Sequence, residues 1–328
     1  MTVLVTGGTG MLGSAVVRRL LSDGEEVVVA DLDPTPYFLR GRSVAPDSVL
    51  VETLNIADAE AVARLFDQHR FSAVIHLAAA VSSLCNKDAV AGALANCVGT
   101  ALILEECCRH DVARVALASS IAVYGHDPEF DLDTLPSVAH RYAEGPPRFS
   151  PHSVTYGAGK GFLEALASDY ADRRGLETAG MRCAFIASAG RPSRPPLGVV
   201  SGYFVDAAAL GRPVEVENGR SVLPYVYVED VARQFTTLIS ADAKLLRRGP
   251  FFNTGALTCT VTDVVDVVLD LIPDAQITLG DGAVDLVLGN PKSYSDALFA
   301  DTFGPGRQHD LRAGVAAQIA EARRWPDL

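Results

Sequence analysis

The stretch Val3-Leu4-Val5-Thr6-Gly7-Gly8-Thr9-Gly10-Met11-Leu12-Gly13 decides how this chain is read. A short apolar run predicts a buried strand, a glycine turn follows at once, and Ser14 to Leu21 carries apolar residues at helical spacing. Strand, glycine turn and helix start within a dozen residues are what gripping a dinucleotide pyrophosphate requires. The glycines let the backbone turn tightly and approach the phosphates. The helix N-terminus offers free N–H groups and the positive end of its dipole. Gly8, Gly10 and Gly13 fit G-x-G-x-x-G, and Gly7, Gly10 and Gly13 fit G-x-x-G-x-x-G. A second apolar run, Val27-Val28-Val29-Ala30, ends in Asp31, where a carboxylate would meet the adenosine ribose hydroxyls.

The same rhythm continues outward. Val49-Leu50-Val51-Glu52 predicts a strand, Ala59 to His69 a helix, and Ala73-Val74-Ile75-His76-Leu77 a strand. Ala91 to Arg109 predicts a long helix and Val115-Ala116-Leu117-Ala118 another strand. Such β-α-β repetition means parallel strands with crossover helices, and continuous apolar runs mean a sheet covered on both faces. The expected fold class is α/β, a Rossmann-type doubly wound parallel sheet with a smaller C-terminal substrate-binding lobe. His126 to Pro151, rich in Pro, Asp and His, breaks the rhythm and reads as a long loop, of a length usually functional or mobile in a compact domain. Tyr156 to Arg174 restores a helix, and Ala179 to Ile186 a strand. Ser188 to Gly198, dense in proline, reads as a crossing into the second lobe. Tyr225 to Val228 (strand) and Asp230 to Ser240 (helix) return the chain to the first. The expected division is 1–187 with 223–245 as the dinucleotide-binding domain, and 188–222 with 246–328 as the substrate-binding lobe.

With 328 residues, 48% hydrophobic and 21% charged, the chain has the composition of an ordinary globular protein. A net charge of −12 argues against nucleic acid as a partner, and no basic run points to a membrane surface. The first strand begins at residue 2, so no signal peptide is expected, and no apolar stretch reads as long enough to span a bilayer. The six cysteines (Cys85, Cys97, Cys107, Cys108, Cys183 and Cys259) form no C-x-x-C pair. They read as reduced thiols rather than a metal site or disulfide framework, and with the absent signal they imply the cytoplasm.

Tyr156-Gly157-Ala158-Gly159-Lys160 puts a phenol and an ammonium on one helical face. A free tyrosine has a pKa of about 10, too high for proton exchange at neutral pH. A neighbouring ammonium together with a nicotinamide positive charge would stabilise the phenolate, so that Tyr156 takes a proton from a hydroxyl or gives one to a carbonyl. Tyr-x-x-x-Lys alone is a common accident. Ser119-Ser120, however, sits where a parallel strand ends, facing the ligand crevice, and Ser120 would hold the substrate oxygen beside Tyr156. Asn96 is placed to bind a backbone carbonyl or water near Lys160.

These pieces occur together and in order, with His76-Leu77-Ala78-Ala79, Asn96-Cys97-Val98-Gly99-Thr100, Val123-Tyr124-Gly125 and Tyr225-Val226-Tyr227-Val228-Glu229-Asp230-Val231-Ala232 as further landmarks. On them the chain resembles, over nearly its full length, the extended short-chain dehydrogenase/reductases, the NAD-dependent epimerase/dehydratase family. The resemblance makes Ser120, Tyr156 and Lys160 catalytic and Gly7, Gly10, Met11, Leu12 and Gly13 the pyrophosphate loop. It puts Asp31 on the ribose, Asn55 and Ile56 at the adenine, and Leu77, Ala78, Ala79, Asn96, Tyr156 and Lys160 along the cofactor. Asn55 departs from the family's usual Asp there. Asp31 repels a 2′-phosphate and no Arg follows it, which implies NAD over NADP. A homodimer through the helices around Ala91 to Arg109 and Ser153 to Arg174 is also implied.

Three departures bear on the reaction. Sugar-nucleotide 4,6-dehydratases of the family carry Asp-Glu right after the catalytic hydroxyl residue, where this chain has Ile121-Ala122. Nucleotide-sugar epimerases usually have an Arg for the substrate diphosphate where this chain has Leu223-Pro224, with Arg220 the nearest cation. The stretch from Gly280 to Asn290 lacks another Arg those enzymes often carry. Ala78 to Ser83, Ser119 to Gly125 and Gly190-Arg191-Pro192-Ser193 are similar to D-erythronate dehydrogenase-like members, which oxidise a small polyhydroxy acid. Arg191 or Arg194 would then meet a carboxylate. The leading expectation is net hydride transfer between NAD and a small hydroxy or keto compound. The second is a nucleotide-sugar epimerase that retains NAD, and the third a redox-sensing binding protein without chemistry.

Overall fold

A computed structural model describes residues 1–124, 154–190, 202–246, 250–283 and 295–325. Its centre is a seven-stranded sheet formed by β1 (Thr2–Thr6), β2 (Glu26–Asp31), β3 (Leu50–Thr53), β4 (Ala73–His76), β5 (Arg114–Ser120), β6 (Glu177–Cys183) and, later in the chain, β10 (Phe251–Asn253). The spatial order is β10-β6-β5-β4-β1-β2-β3, and every pairing is parallel. That is the doubly wound order, which reverses direction between β1 and β4, where such sheets open a crevice beyond their carboxyl ends. The pleat explains the apolar runs. Val3 and Val5 enter the core on one face and Leu4 the core on the other, and β2, β4 and β5 alternate likewise.

Two small sheets complete the molecule. β7 (Phe185–Ala187), β9 (Val222–Tyr227) and β11 (Leu257–Thr260) form one in the order β11-β9-β7; β8 (Val214–Val216) and β12 (Ile277–Leu279) pair as the other. The single strand expected over Ala179 to Ile186 is corrected here: the chain leaves the large sheet at Cys183 and joins a small one at Phe185. Ala184 donates its N–H to Thr254 Oγ1 at 3.1 Å instead of to a ladder, which releases the strand. The boundary expected at 246 also runs through structure, because Phe251–Asn253 pair with β6 in the large sheet. Helix Val228–Ser240 packs on helix Met11–Ser22 and on the large sheet.

Helix Ala89–Arg109 is 21 residues and, by length and composition alone, apolar enough to cross a bilayer, which corrects the expectation that no stretch reaches that length. Its apolar residues divide between two duties: Ile103, Leu104 and Cys107 lie in the core, while Val90, Leu94 and Val98 face outward. A π-helical turn over Leu94–Gly99 interrupts it, a feature that often marks a functional position. The loop read over His126 to Pro151, and Arg191 and Arg194, lie outside the described residues.

Candidate active site

The glycine turn sits at the sheet's reversal point. Gly7 has a left-handed φ of +71°, and a Cβ there would lie 2.7 Å from Ala78 N, so the turn after β1 presses on the segment after β4. A Cβ on Gly13 would lie 2.0 Å from Gly7 O and 2.6 Å from Gly8 Cα. The first turn of helix Met11–Ser22 is thus packed backbone to backbone against the turn. The turn and the helix start therefore meet as bare backbone, with no side chain between them. Asp31, at the end of β2, accepts from Thr9 N at 3.2 Å, which ties its carboxylate to the glycine turn, and from Asp33 N in its own loop at 3.4 Å. Asn55 Oδ1 accepts from Ala57 N at 3.0 Å, so one of its two acceptor directions already braces its own loop. Ile56 is buried against Gly99.

Leu77, Ala78 and Ala79 follow β4 with part of their surface open. Asn96, in the π-helical turn, grips the next residue twice: Ala80 N donates to its Oδ1 at 2.8 Å, and its Nδ2 donates to Ala80 O at 2.9 Å. Behind this wall the imidazole of His76 lies 2.7 Å from Thr6 Oγ1 and 3.2 Å from Thr100 Oγ1. Thr100 Oγ1 donates to Asn96 O, so His76 Nε2 carries the hydrogen toward Thr100 and Nδ1 accepts from Thr6. Burial, with the Lys160 charge as a second cause, pulls His76 down to about 3.

Ser120, Tyr156 and Lys160 come together at the carboxyl end of β5. Tyr156 makes a side-chain hydrogen bond with Ser120, and Ser120 Oγ also accepts from Ala122 N at 3.1 Å. Lys160 is buried one turn further along helix Val154–Arg174, where its Nζ donates to Ala118 O at 2.6 Å. Burial pulls Lys160 from 10.5 down to about 8. Burial also lifts the Tyr156 phenol to about 12, against the opposing pull of its bond with Ser120, although part of the ring stays open to solvent. Without the nicotinamide charge on which the expected acidification also relied, the protein's own groups leave the phenol above its ordinary value. The ammonium sits 5.8 Å from the ring centre and is committed to a carbonyl.

Sequence reading missed the support under this trio. Glu164, buried one turn past Lys160, accepts from Ser119 Oγ at 2.5 Å and from Arg182 Nη2 at 2.8 Å. Arg182 donates to Tyr124 OH at 2.8 Å, and Tyr124 OH donates to Asn253 Oδ1 at 2.8 Å. The signals were present: a carboxylate four residues after Lys160, and a lone arginine inside an apolar strand, which needs a partner if buried.

A family model described as NAD dependent epimerase/dehydratase family matches residues 3–253. The chain is 28% identical over 348 aligned residues to dTDP-glucose 4,6-dehydratase 1 of Escherichia coli (strain K12), covering 99% of this chain and 88% of that protein. It is 30% identical over 257 residues to UDP-glucose 4-epimerase of Mus musculus, covering 70% and 71%. Among solved structures, the NAD complex of UDP-glucose 4-epimerase from Thermus thermophilus superposes with a TM-score of 0.79 at 25% identity, over 98% of this chain and 99% of that one. L-threonine dehydrogenase from Cupriavidus necator superposes at 0.80 with 23% identity, over 98% and 99%, a likeness of fold.

Proposed function

The chain belongs to the NAD-dependent epimerase/dehydratase family, and on that premise we propose that it is an NAD-dependent oxidoreductase. It would transfer hydride between NAD and a hydroxyl or keto carbon of a small polyhydroxy or hydroxy-acid substrate. The observation that carries this reading is the convergence of Ser120, Tyr156 and Lys160 at the end of β5, beside the crevice lined by the glycine turn and the Leu77–Ala79 wall. When bound, NAD supplies the hydride acceptor and, oxidised, a positive ring.

The chain's residues would do the rest. The helix start after Gly10 holds the pyrophosphate, Asp31 the ribose, and Asn96 keeps the wall after β4 in place. Ser120 holds the substrate oxygen. Tyr156, protonated at neutral pH by the protein's own environment, is ready to give a proton to a carbonyl. To take one from a hydroxyl it needs added positive charge beside it, and Lys160, titrating near 8, remains mostly cationic at neutral pH.

Two observations favour a small substrate over a nucleotide sugar. Leu223, at the position of the epimerases' diphosphate arginine, is buried in β9 opposite Cys259 of β11. Arg220 Nε donates to Asp281 O at 2.6 Å, which commits part of that guanidinium to backbone. Ile121 and Ala122, buried and apolar, supply no acid/base pair for dehydration. The epimerase reading keeps support from the mouse relative. Incubation with NAD and panels of hydroxy acids and nucleotide sugars separates the two. Net NADH with a hydroxy acid is expected; isomerised sugar without net NADH overturns the oxidoreductase reading in favour of epimerisation. A Tyr156→Phe variant with undiminished cellular activity would instead favour a non-catalytic sensor.

The reading includes a homodimer and a cytoplasmic place of action. Two helices share an outward apolar face, with Val98 43% and Phe162 44% exposed, around a groove lined also by Ala101, Leu102 and Tyr170. A second copy of the same face would cover it.

A further inference from the structure

A fully buried arginine stands behind the glycine turn. Arg42 follows the short helix Tyr37–Gly41, eleven residues past Asp31, and its side chain has no exposed surface. Its Nε donates to Ser14 Oγ at 2.9 Å, and Nη2 donates to Ser188 Oγ at 2.6 Å and reaches Met11 O at 3.5 Å. Nη1 donates to Glu229 Oε1 at 3.3 Å and to Glu321 Oε1. Glu229 also pairs with Arg18 at 2.7 Å, so two cations meet two carboxylates.

The residue before the arginine, Gly41, packs against Trp325, which follows the helix that carries Glu321. Trp325 fills the space where a Cβ on Gly41 would lie 2.0 Å from its ring and one on Gly190 2.4 Å from it. Its ring centre lies 5.5 Å from that of Tyr37 and 5.7 Å from that of Phe38. Burying a guanidinium this deeply is unfavourable unless its donors are met, and here they are met by groups from widely separated segments. Two of those groups, Met11 O and Ser14 Oγ, belong to the first helical turn after Gly10. Ser14 Oγ itself donates to Met11 O at 3.0 Å, so Arg42 grips that turn from its inner side at linked points.

We infer that Arg42 is a positioning residue for the dinucleotide pyrophosphate, and that Glu321 holds it in place, which puts cofactor affinity partly under the control of helix Leu311–Ala322. The inference rests on the reading that the Gly10–Gly13 turn holds NAD. Holding Met11 O and Ser14 Oγ fixes the first helical turn after Gly10, and a preorganised helix start binds an anion without having to reorient. With its fork turned inward and occupied, Arg42 takes no part in choosing between a ribose hydroxyl and a 2′-phosphate.

The test compares NADH, ADP-ribose and adenosine binding to wild type, Arg42→Met and Arg42→Lys by fluorescence and calorimetry. Arg42→Met is expected to weaken NADH and ADP-ribose about tenfold and adenosine, which lacks the pyrophosphate, about twofold or less. If Arg42→Met does not fold, Arg42→Lys decides the matter. It keeps the charge beside Glu321 but cannot also serve Ser14 and Ser188, and a loss of about fivefold for ADP-ribose alone is expected. Wild-type ADP-ribose affinity in a folded variant overturns the inference, as does an equal loss for adenosine. Wild type that binds no NADH sinks the NAD reading itself, a distinguishable result.

Discussion

Replacing Lys160 by methionine should remove a specific pH dependence of stability. Burial pulls the Lys160 ammonium from 10.5 down to about 8, so the unfolded chain holds this proton more tightly than the folded one. The gap amounts to about 3 kcal/mol opposing folding at neutral pH. The sign follows from the direction. The penalty is fully present below about 8 and fades as pH rises toward 10.5, where the unfolded chain also loses the proton. Between about pH 7 and about pH 9.5 wild type should therefore gain about 2 kcal/mol relative to Lys160→Met. Tyr156 acts with the opposite sign, but only above its ordinary value of 10, because its folded value is about 12. Urea unfolding of both proteins at both pH values, without added cofactor, gives the double difference, in which unrelated titrations cancel. Equal pH slopes for the two proteins would refute the reasoning and place the amine in a far wetter setting.

Other outcomes follow from the same contacts. Gly13→Ala puts a methyl against the backbone of Gly7 and Gly8, which cannot move aside as a side chain could; a loss of about 3 kcal/mol or more in urea unfolding is expected, and wild-type stability would contradict the close packing. Tyr124→Phe removes the hydroxyl joining Arg182 to Asn253 while leaving the Arg182–Glu164 pair; a fall of about 1 to 2 kcal/mol is expected, read by thermal or urea melting. Phe162→Glu charges the exposed apolar face, and on the proposed homodimer a shift from dimer to monomer in sedimentation is expected; a wild type that sediments as a monomer, or an unchanged mass, would refute a dimer through this face.

Much of the large sheet could be read from the sequence because strands buried on both faces are written as unbroken apolar runs: Val27 to Ala30 and Val115 to Ala118 have no other comfortable place. The glycine turn was legible for a related reason, since Gly7 and Gly13 stand where a Cβ has no room. β10 escaped because three residues carry no period; it exists only by pairing with β6. The break at Ala184 escaped because the group that releases the strand, Thr254, is 70 residues away. Arg42 and Arg182 escaped for a third reason. A charged residue reads as surface unless its partners are known, and Glu321 lies 279 residues from Arg42. Tyr156 and Lys160 were found by spacing, but spacing is blind to burial, and burial sets their protonation here.

The passage of the chain through Ala184 has an evolutionary corollary. One peptide unit joins the strand that carries Arg182 and Cys183 to the small sheet, and only Thr254 to Ala256 separate β10 from β11 on the way back. The two sheets are stitched through one another rather than strung on a linker, so recombination has no clean seam at which to exchange one for a foreign counterpart.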